Sequence, residues 1–148
     1  MVVAREGGQR LIPAQDFFVG PARDIINMTV LNPGEILTAV RIPNTWANAE
    51  FYFEKVADRN VWDFALVSIA AAIKVSGGTI EDARIVCGAV ECVPRRLNAV
   101  ENAVRGQQRS EQLAEQVASI ATEGARTLNY NNFKVPLMQN LVKRAIRG

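Results

Sequence analysis

The sequence predicts an α+β fold, an antiparallel sheet of three to four strands followed by three helices packed on one of its faces. Three observations carry that expectation. Apolar residues recur with a period of two as far as Cys92-Val93-Pro94 and with a period near 3.6 beyond it. Two long apolar-rich runs, Phe64 to Val75 and Ile80 to Val90, are joined by Ser76-Gly77-Gly78-Thr79, and a Gly-Gly pair takes the positive φ angles that a tight hairpin turn demands. The 148 residues, 49% apolar and 22% charged, suit one ordinary globular domain, and a folded chain of this length buries roughly 70% of the surface it exposes when unfolded.

The first strand runs from Glu35 to Ile42, opened by the turn signal Asn32-Pro33-Gly34 and closed by Pro43-Asn44. Phe51 to Val56 follows, with Phe51, Phe53 and Lys55 on one face and Tyr52, Glu54 and Val56 on the other, a strand with one wet face. Phe64 to Val75 is apolar on both parities until Lys74, the pattern of a strand covered on both sides. Ala70-Ala71-Ala72 would also suit a buried helix, but length and flanking residues decide for strand. In the return strand Ala83, Ile85, Cys87 and Ala89 share a face, and Gly88 marks either a bulge or a close approach of backbone.

Pro94 at a first helical position, then Leu97, Val100, Glu101 and Val104 with Gly106 as the stop, describe a short amphipathic helix. Ser110 caps a second helix with a stripe of Leu113, Val117 and Ile120, ended by Gly124. Pro136 begins a third, in which Met138, Leu141, Val142 and Ala145 form a packed face and Lys143, Arg144 and Arg147 complement the dipole of the last turn.

Composition excludes several chemistries. The chain has no histidine, so His-based triads, His general bases and His-ligated metal sites are absent. Two cysteines, Cys87 and Cys92, cannot supply four thiolates to an iron-sulfur cluster or a zinc site. They read as buried small apolar side chains in a reducing compartment, with a disulfide as the alternative. No Gly-rich phosphate loop and no nucleophile elbow occurs. Basic residues are dispersed, the net charge is only +2 and aromatics are few, which disfavours nucleic acid. The longest uncharged apolar run, Phe64 to Ile73, is far short of the roughly 20 residues of a membrane span, and the first eight residues lack the blocks of a signal peptide. The expectation is a cytoplasmic protein.

The segment Phe53 to Val67 stands out, two strands flanking a polar loop that holds Lys55, Asp58, Arg59, Trp62 and Asp63. Such a loop reads either as a solvated connection, with Arg59 bridging Asp58 or Asp63, or as a ligand-contacting loop.

Five blocks in order carry a resemblance. They are Phe17-Phe18-Val19-Gly20-Pro21, then Leu31 to Leu37, then Phe53 to Asp63, then Asp82 to Val90 with Val93-Pro94-Arg95-Arg96, Glu101 and Gly106, and last Tyr130, Lys134, Leu137, Leu141 and Lys143-Arg144-Ala145. Together they resemble the FAD-binding medium subunit of the molybdenum hydroxylase family, which includes xanthine dehydrogenase and carbon monoxide dehydrogenase. The resemblance implies that residues 1–45 are the C-terminal end of the FAD-binding domain and residues 46–148 the family's C-terminal sandwich domain.

It also implies a role. In the family, electrons leave a molybdopterin centre on a large subunit, cross two [2Fe-2S] clusters on a small subunit and reach FAD on the medium subunit. This chain is then one wall of the flavin site, a component inactive by itself, and the Gly-rich motifs that cradle the FAD diphosphate belong to a polypeptide carrying the N-terminal half. Alignment with the family makes Leu37 a leucine packed on the cofactor and Lys55 a lysine that approaches it. A leucine shields an apolar ring from water, and an ammonium stabilises negative charge arriving on reduction. Arg59, Trp62 and Asp63 are implied as neighbours of the flavin on the same loop. At Lys134 the family commonly has arginine, so the charge is kept and the bidentate fork lost. The rival reading is a non-catalytic assembly or docking module without flavin.

Overall fold

The computed structural model describes all 148 residues, which form two compact units, Met1–Ala47 with Cys92–Pro94 and Asn48–Glu91 with Arg95–Gly148. No helix is long and apolar enough to cross a membrane.

The first unit is built on β1 (Val2–Arg5), β2 (Gly8–Leu11) and β3 (Ile36–Ala39), an antiparallel sheet in the order β2-β1-β3. β3 lies inside the strand expected at Glu35 to Ile42. The β1–β2 hairpin is invisible to apolar periodicity, because every residue of β2 is exposed. The buried cluster is small, Val3, Ile12 and Phe17, with Val30 and Leu31 packed against it. A polar clasp supplements it. The Arg10 guanidinium donates to both carboxylate oxygens of Glu35 at 2.8 and 2.7 Å and to the Val30 carbonyl at 2.7 Å. The Asn32 N–H donates to Glu35 at 2.7 Å, and the Glu35 N–H closes the Asn32-Pro33-Gly34 turn onto the Asn32 carbonyl at 3.0 Å. These bonds, that from Arg10 foremost, hold the Glu35 carboxyl down at about 2. Leu11, Ile25, Ile26, Ile36 and Ile42 remain exposed.

The second unit carries the expected α+β layers. β4 (Glu50–Val56), β5 (Val67–Ser76), β6 (Thr79–Gly88) and β7 (Arg95–Arg96) pair antiparallel in chain order. Helices α1 (Asn98–Val104), α2 (Glu111–Ala121) and α3 (Lys134–Arg147) cover one face. Gly77 and Gly78 have φ of +55° and +80°, the left-handed pair that joins two strands through two residues. Under the helices lie Val67, Ile69 and Ile73 of β5 and Ile80, Ala83 and Ile85 of β6. They meet Val100, Val104, Leu113, Val117, Leu141 and Val142, each such side chain contributing about 1.5–3 kcal/mol of burial.

Several local expectations are corrected. β5 is not covered on both sides: Ser68, Ala70 and Ala72 lie on the face away from the helices, and Ala70 is exposed. Alanine counts as apolar in a periodicity, yet leaving it in water costs little. β6 stops at Gly88, and Ala89 turns to φ +63° and is exposed instead of sharing the buried face. Gly88 marks neither a bulge nor a close approach of backbone: a Cβ there would stand 2.6 Å from a side-chain hydroxyl, Ser68 Oγ. The bulge lies at the other end, where Lys74 pairs with Asp82 and Val75 with Ile80, leaving Glu81 as the extra residue.

Pro94 does not open a helix. Residues 95–97 are drawn along the edge of β6, where the Leu97 N–H donates to the Ile85 carbonyl at 2.9 Å, and α1 starts only at Asn98. α2 is capped as expected, Ser110 Oγ accepting from the Leu113 N–H at 3.1 Å. α3 starts two residues before Pro136, whose missing N–H still falls among the unpaired donors of a first turn. Cys87 is packed in the core, where burial pushes its thiol up to about 12, whereas Cys92 is exposed; both are free thiols.

Glu101 is the one charged side chain in the core, 2% exposed. Its carboxylate accepts from the Ile85 N–H at 2.9 Å and from Arg96 Nε and Nη2 at 3.0 and 2.8 Å, while Arg84 stands 3.7 Å away. The carboxylate therefore continues the β6 ladder where β7 ends. Breaking such a buried pair from one side costs about 3–5 kcal/mol. Glu101→Ala is expected to lower the unfolding free energy by that amount, and Glu101→Gln, which keeps an acceptor for Ile85, to cost less; equilibrium urea denaturation measures both.

In the first unit, folding depresses the Glu35 carboxyl from 4.5 to about 2. Its contribution to stability is complete above the unfolded value and is lost as pH falls from about 4.5 toward 2. Acid unfolding followed by NMR at Phe17 and Phe18 is expected to show this slope in the wild-type chain and to lose it in Glu35→Gln.

Candidate functional site

β4 is an edge strand of the second sheet, and pairing sets what it displays. Tyr52, Glu54 and Val56 turn toward the helices, where the Tyr52 hydroxyl donates to the Glu54 carboxylate and Arg144 of α3 pairs with the same group. Burial, then the Glu54 bond, pushes the Tyr52 hydroxyl up to about 12. Phe51, Phe53 and Lys55 occupy the opposite face, the phenylalanines 66% and 71% exposed. The alternation placed these three together, and the wet face turns out to be the one with the two aromatics.

Beyond Val56 the chain makes a closed loop. The Leu66 N–H donates to the Val56 carbonyl at 2.7 Å, so β5 resumes opposite the end of β4. Inside the loop Asp63 is the hub. Its carboxylate accepts from the Arg59 N–H at 2.9 Å and stands 3.8 Å from the Arg59 guanidinium, and its carbonyl accepts from Lys55 Nζ at 3.0 Å. Arg59 Nη2 donates to the Trp62 carbonyl at 2.8 Å. Of the two partners open to Arg59 from the sequence, Asp63 is the one it takes.

Trp62 is held in an unusual state. Its φ is +54°, a left-handed conformation that costs a bulky residue of order 1 kcal/mol or more, and its indole is 95% exposed. The Arg59 bond to its carbonyl and the Asp63 bond to Arg59 pin the turn from both sides. Nothing in the sequence announces this, since a left-handed position usually advertises itself by Gly or Asn.

Four of the five residues picked from the sequence, Lys55, Arg59, Trp62 and Asp63, thus form one hydrogen-bonded constellation. The fifth, Leu37, belongs to the first unit, on β3 opposite Val3 and 38% exposed. Lys55 spends one of its three N–H donors on Asp63 and is otherwise exposed, a positive charge fixed at one end and available at the other. No group of three or more Asp, Glu or Cys side chains converges as a metal site would require.

The loop's strain is open to test. Because the Trp62 side chain is fully exposed, replacing it removes no burial, and only the backbone preference changes. Trp62→Gly is expected to be more stable than Trp62→Ala by about 1 kcal/mol, since glycine adopts positive φ without penalty; urea denaturation of the two variants measures the difference.

The family model described as the CO dehydrogenase flavoprotein C-terminal domain matches residues 52–148. Among curated relatives, the glyceraldehyde dehydrogenase medium chain of Sulfolobus acidocaldarius is 34% identical over 119 residues, 80% of this chain and 40% of the relative. The aldehyde oxidoreductase FAD-binding subunit of Escherichia coli is 35% identical over 99 residues, 67% of this chain and 30% of the relative. Among solved structures, carbon monoxide dehydrogenase from Hydrogenophaga pseudoflava superposes with a TM-score of 0.84 at 26% identity, covering 98% of this chain and 50% of that one. The chain spans half or less of the length of each of these three proteins.

Proposed function

The chain belongs to the CO dehydrogenase flavoprotein C-terminal domain family, and on that premise we propose that it forms one wall of the FAD site in the medium subunit of a molybdenum hydroxylase. The observation that carries the reading is the Lys55 ammonium, held at 3.0 Å by the Asp63 carbonyl with its remaining donors exposed. A flavin supplies the two-electron redox chemistry of such a subunit. The residues present suit its ring better than its diphosphate: a half-tethered ammonium and an exposed leucine are ring contacts, and no Gly-rich turn precedes any of the three helices.

In this reading Lys55 holds positive charge beside the polar edge of the ring, and Asp63 fixes where that charge sits. Arg59 stiffens the loop and Trp62 lies at its exposed tip. Leu37 keeps water from the ring. The diphosphate is cradled by a polypeptide that carries the N-terminal FAD-binding half. Electrons reach the site from molybdopterin on a large subunit through [2Fe-2S] clusters on a small one, and the substrate is oxidised away from this chain. The domain limits that go with this reading are 1–45 and 46–148. The exposed Phe51 and Phe53 favour the second reading, a docking module without flavin.

The test is made in the assembled protein. Lys55→Ala is expected to lower the flavin potential by about 30 mV, equivalent to ~1.4 kcal/mol for a two-electron couple, because the reduced ring loses a stabilising cation. Lys55→Arg is expected to keep most of the wild-type value. An assembled protein without flavin absorbance, or a potential that ignores Lys55→Ala, overturns the flavin role; the colourless result favours the docking module.

A further inference from the structure

β3 is an outer strand of the first unit's sheet, and its sequence is not that of an edge left in water. From Ile36 to Ile42 the chain reads Ile-Leu-Thr-Ala-Val-Arg-Ile, four β-branched residues and one charge between Glu35 and Pro43. Ile36, Val40 and Ile42 are 68%, 62% and 78% exposed. A free edge is normally blunted by charged residues or proline, because its unpaired N–H and C=O groups invite another strand. β2, at the opposite edge, follows that rule with Gly8, Gln9 and Arg10 ahead of Pro13. β3 carries a single charge, Arg41, beyond its last paired residue.

The backbone ladder points the same way. Met1 and Ile12 exchange both main-chain bonds, at 2.8 and 2.9 Å, so Met1, Val3 and Arg5 of this ladder face β2 while Val2 and Ala4 face β3. Val2 and Ala4 pair with Ala39 and Ile36, and Thr38 is the extra residue of a bulge, its hydroxyl donating to the Val2 carbonyl at 3.2 Å. Leu37, opposite Val3, therefore turns its N–H and C=O to the outer edge, and the alternation after Ala39 turns Val40 outward as well. Val40, Arg41 and Ile42 form no backbone hydrogen bond within the chain, although the strand pattern of the sequence continues to Ile42. The unit also lacks a core of its own size. Its buried cluster is Val3, Ile12 and Phe17, too few side chains to hold Met1–Ala47 without further polypeptide. This chain covers half of the carbon monoxide dehydrogenase chain on which it superposes, so a protein of this type has as much polypeptide again to supply it.

We infer that the outer edge of β3 takes up one aliphatic β-strand, contributed by the half of a medium subunit that the present chain does not span, along Leu37 to Ile42. Main-chain bonds to Leu37 and Val40 hold the added strand, and its branched side chains pack beside Val40 and Ile42. The inference rests on the reading of the chain as part of a flavin-bearing medium subunit, and it names the seam at which the two halves join.

Residue-resolved amide hydrogen exchange on the assembled subunit, this chain together with the polypeptide that carries the Gly-rich flavin motifs, tests it directly. The Leu37 and Val40 amides are expected to be protected to the degree of Ala39, and protection on the partner is expected to fall on every second residue. Val40→Pro removes the outward N–H, a change that a solvent-facing edge tolerates and a paired edge does not. It is expected to weaken association about tenfold or more, the loss that follows when a partner carbonyl is left buried without its donor. Val40→Thr keeps both the N–H and the branch at Cβ, and is expected to hold the partner as the wild type does. Continued protection of the Val3 and Ile12 amides shows that the sheet itself stays folded in both variants.

Fast exchange at Leu37 and Val40 in the wild-type assembly overturns the inference, as does failure of the wild-type chain to hold that polypeptide. Protection confined to Arg41 overturns it in favour of a strand on the β1 side, and protection already present in a dimer of this chain in favour of a second copy. Protection on the partner at spacings of three and four residues overturns it in favour of a helix. A protected assembly that holds no flavin upholds the seam and defeats the flavin reading; a yellow assembly with fast exchange at both amides does the reverse.

Discussion

The second unit depends on one buried carboxylate. Removing a charge from water is expensive, and Glu101 offsets that cost only because it meets a backbone donor from β6 and the forked guanidinium of Arg96 at once. The arrangement does topological work. β7 is only two residues long, and beyond it the edge of β6 has no further strand, so the Ile85 N–H would be a buried orphan without a side-chain acceptor. By reaching across from α1 the carboxylate ends the sheet and fixes the position of the first helix. It also raises the proton affinity of Arg96, through the hydrogen bond first and burial against it.

With the β6 side sealed in this way, the sheet is asymmetric. The sealed edge faces α1, whereas β4 at the other edge carries Lys55 and leads into the loop around Asp63. The two faces differ as well. One is closed by three helices over branched aliphatic residues, and the other is floored by serine and alanine between phenylalanines and arginines. The Lys55–Asp63 loop and the exposed phenylalanines thus lie where the sheet is not used for its own core.

The layers of the second unit were legible because their signals are local. The Gly-Gly turn, the Ser110 cap and the apolar stripes of α2 and α3 each state a backbone preference within a few residues, and the coordinates follow them. What was not legible depends on partners far along the chain. Leu97 and Val100 have helical spacing whether the helix starts at Pro94 or at Asn98, and only the bond from Leu97 to Ile85 decides. The β1–β2 hairpin carries no apolar alternation on β2, and Trp62 gives no sign of its left-handed backbone. The five site residues came from resemblance. Four prove to be neighbours in one network, and the reason is visible only in space, where the Asp63 carbonyl and carboxylate serve Lys55 and Arg59 together.

The pairing of Ser68 with Gly88 across β5 and β6 has a consequence for how this sequence can change. Space for a methyl group at position 88 is taken by the hydroxyl of Ser68, only 2.6 Å from where a Cβ would stand. The serine Cβ stands a full 4.0 Å away, so a turn of one side-chain torsion clears the space. Alanine at 88 therefore asks the hydroxyl to point elsewhere, and the two positions are linked through the rotamer of a single serine.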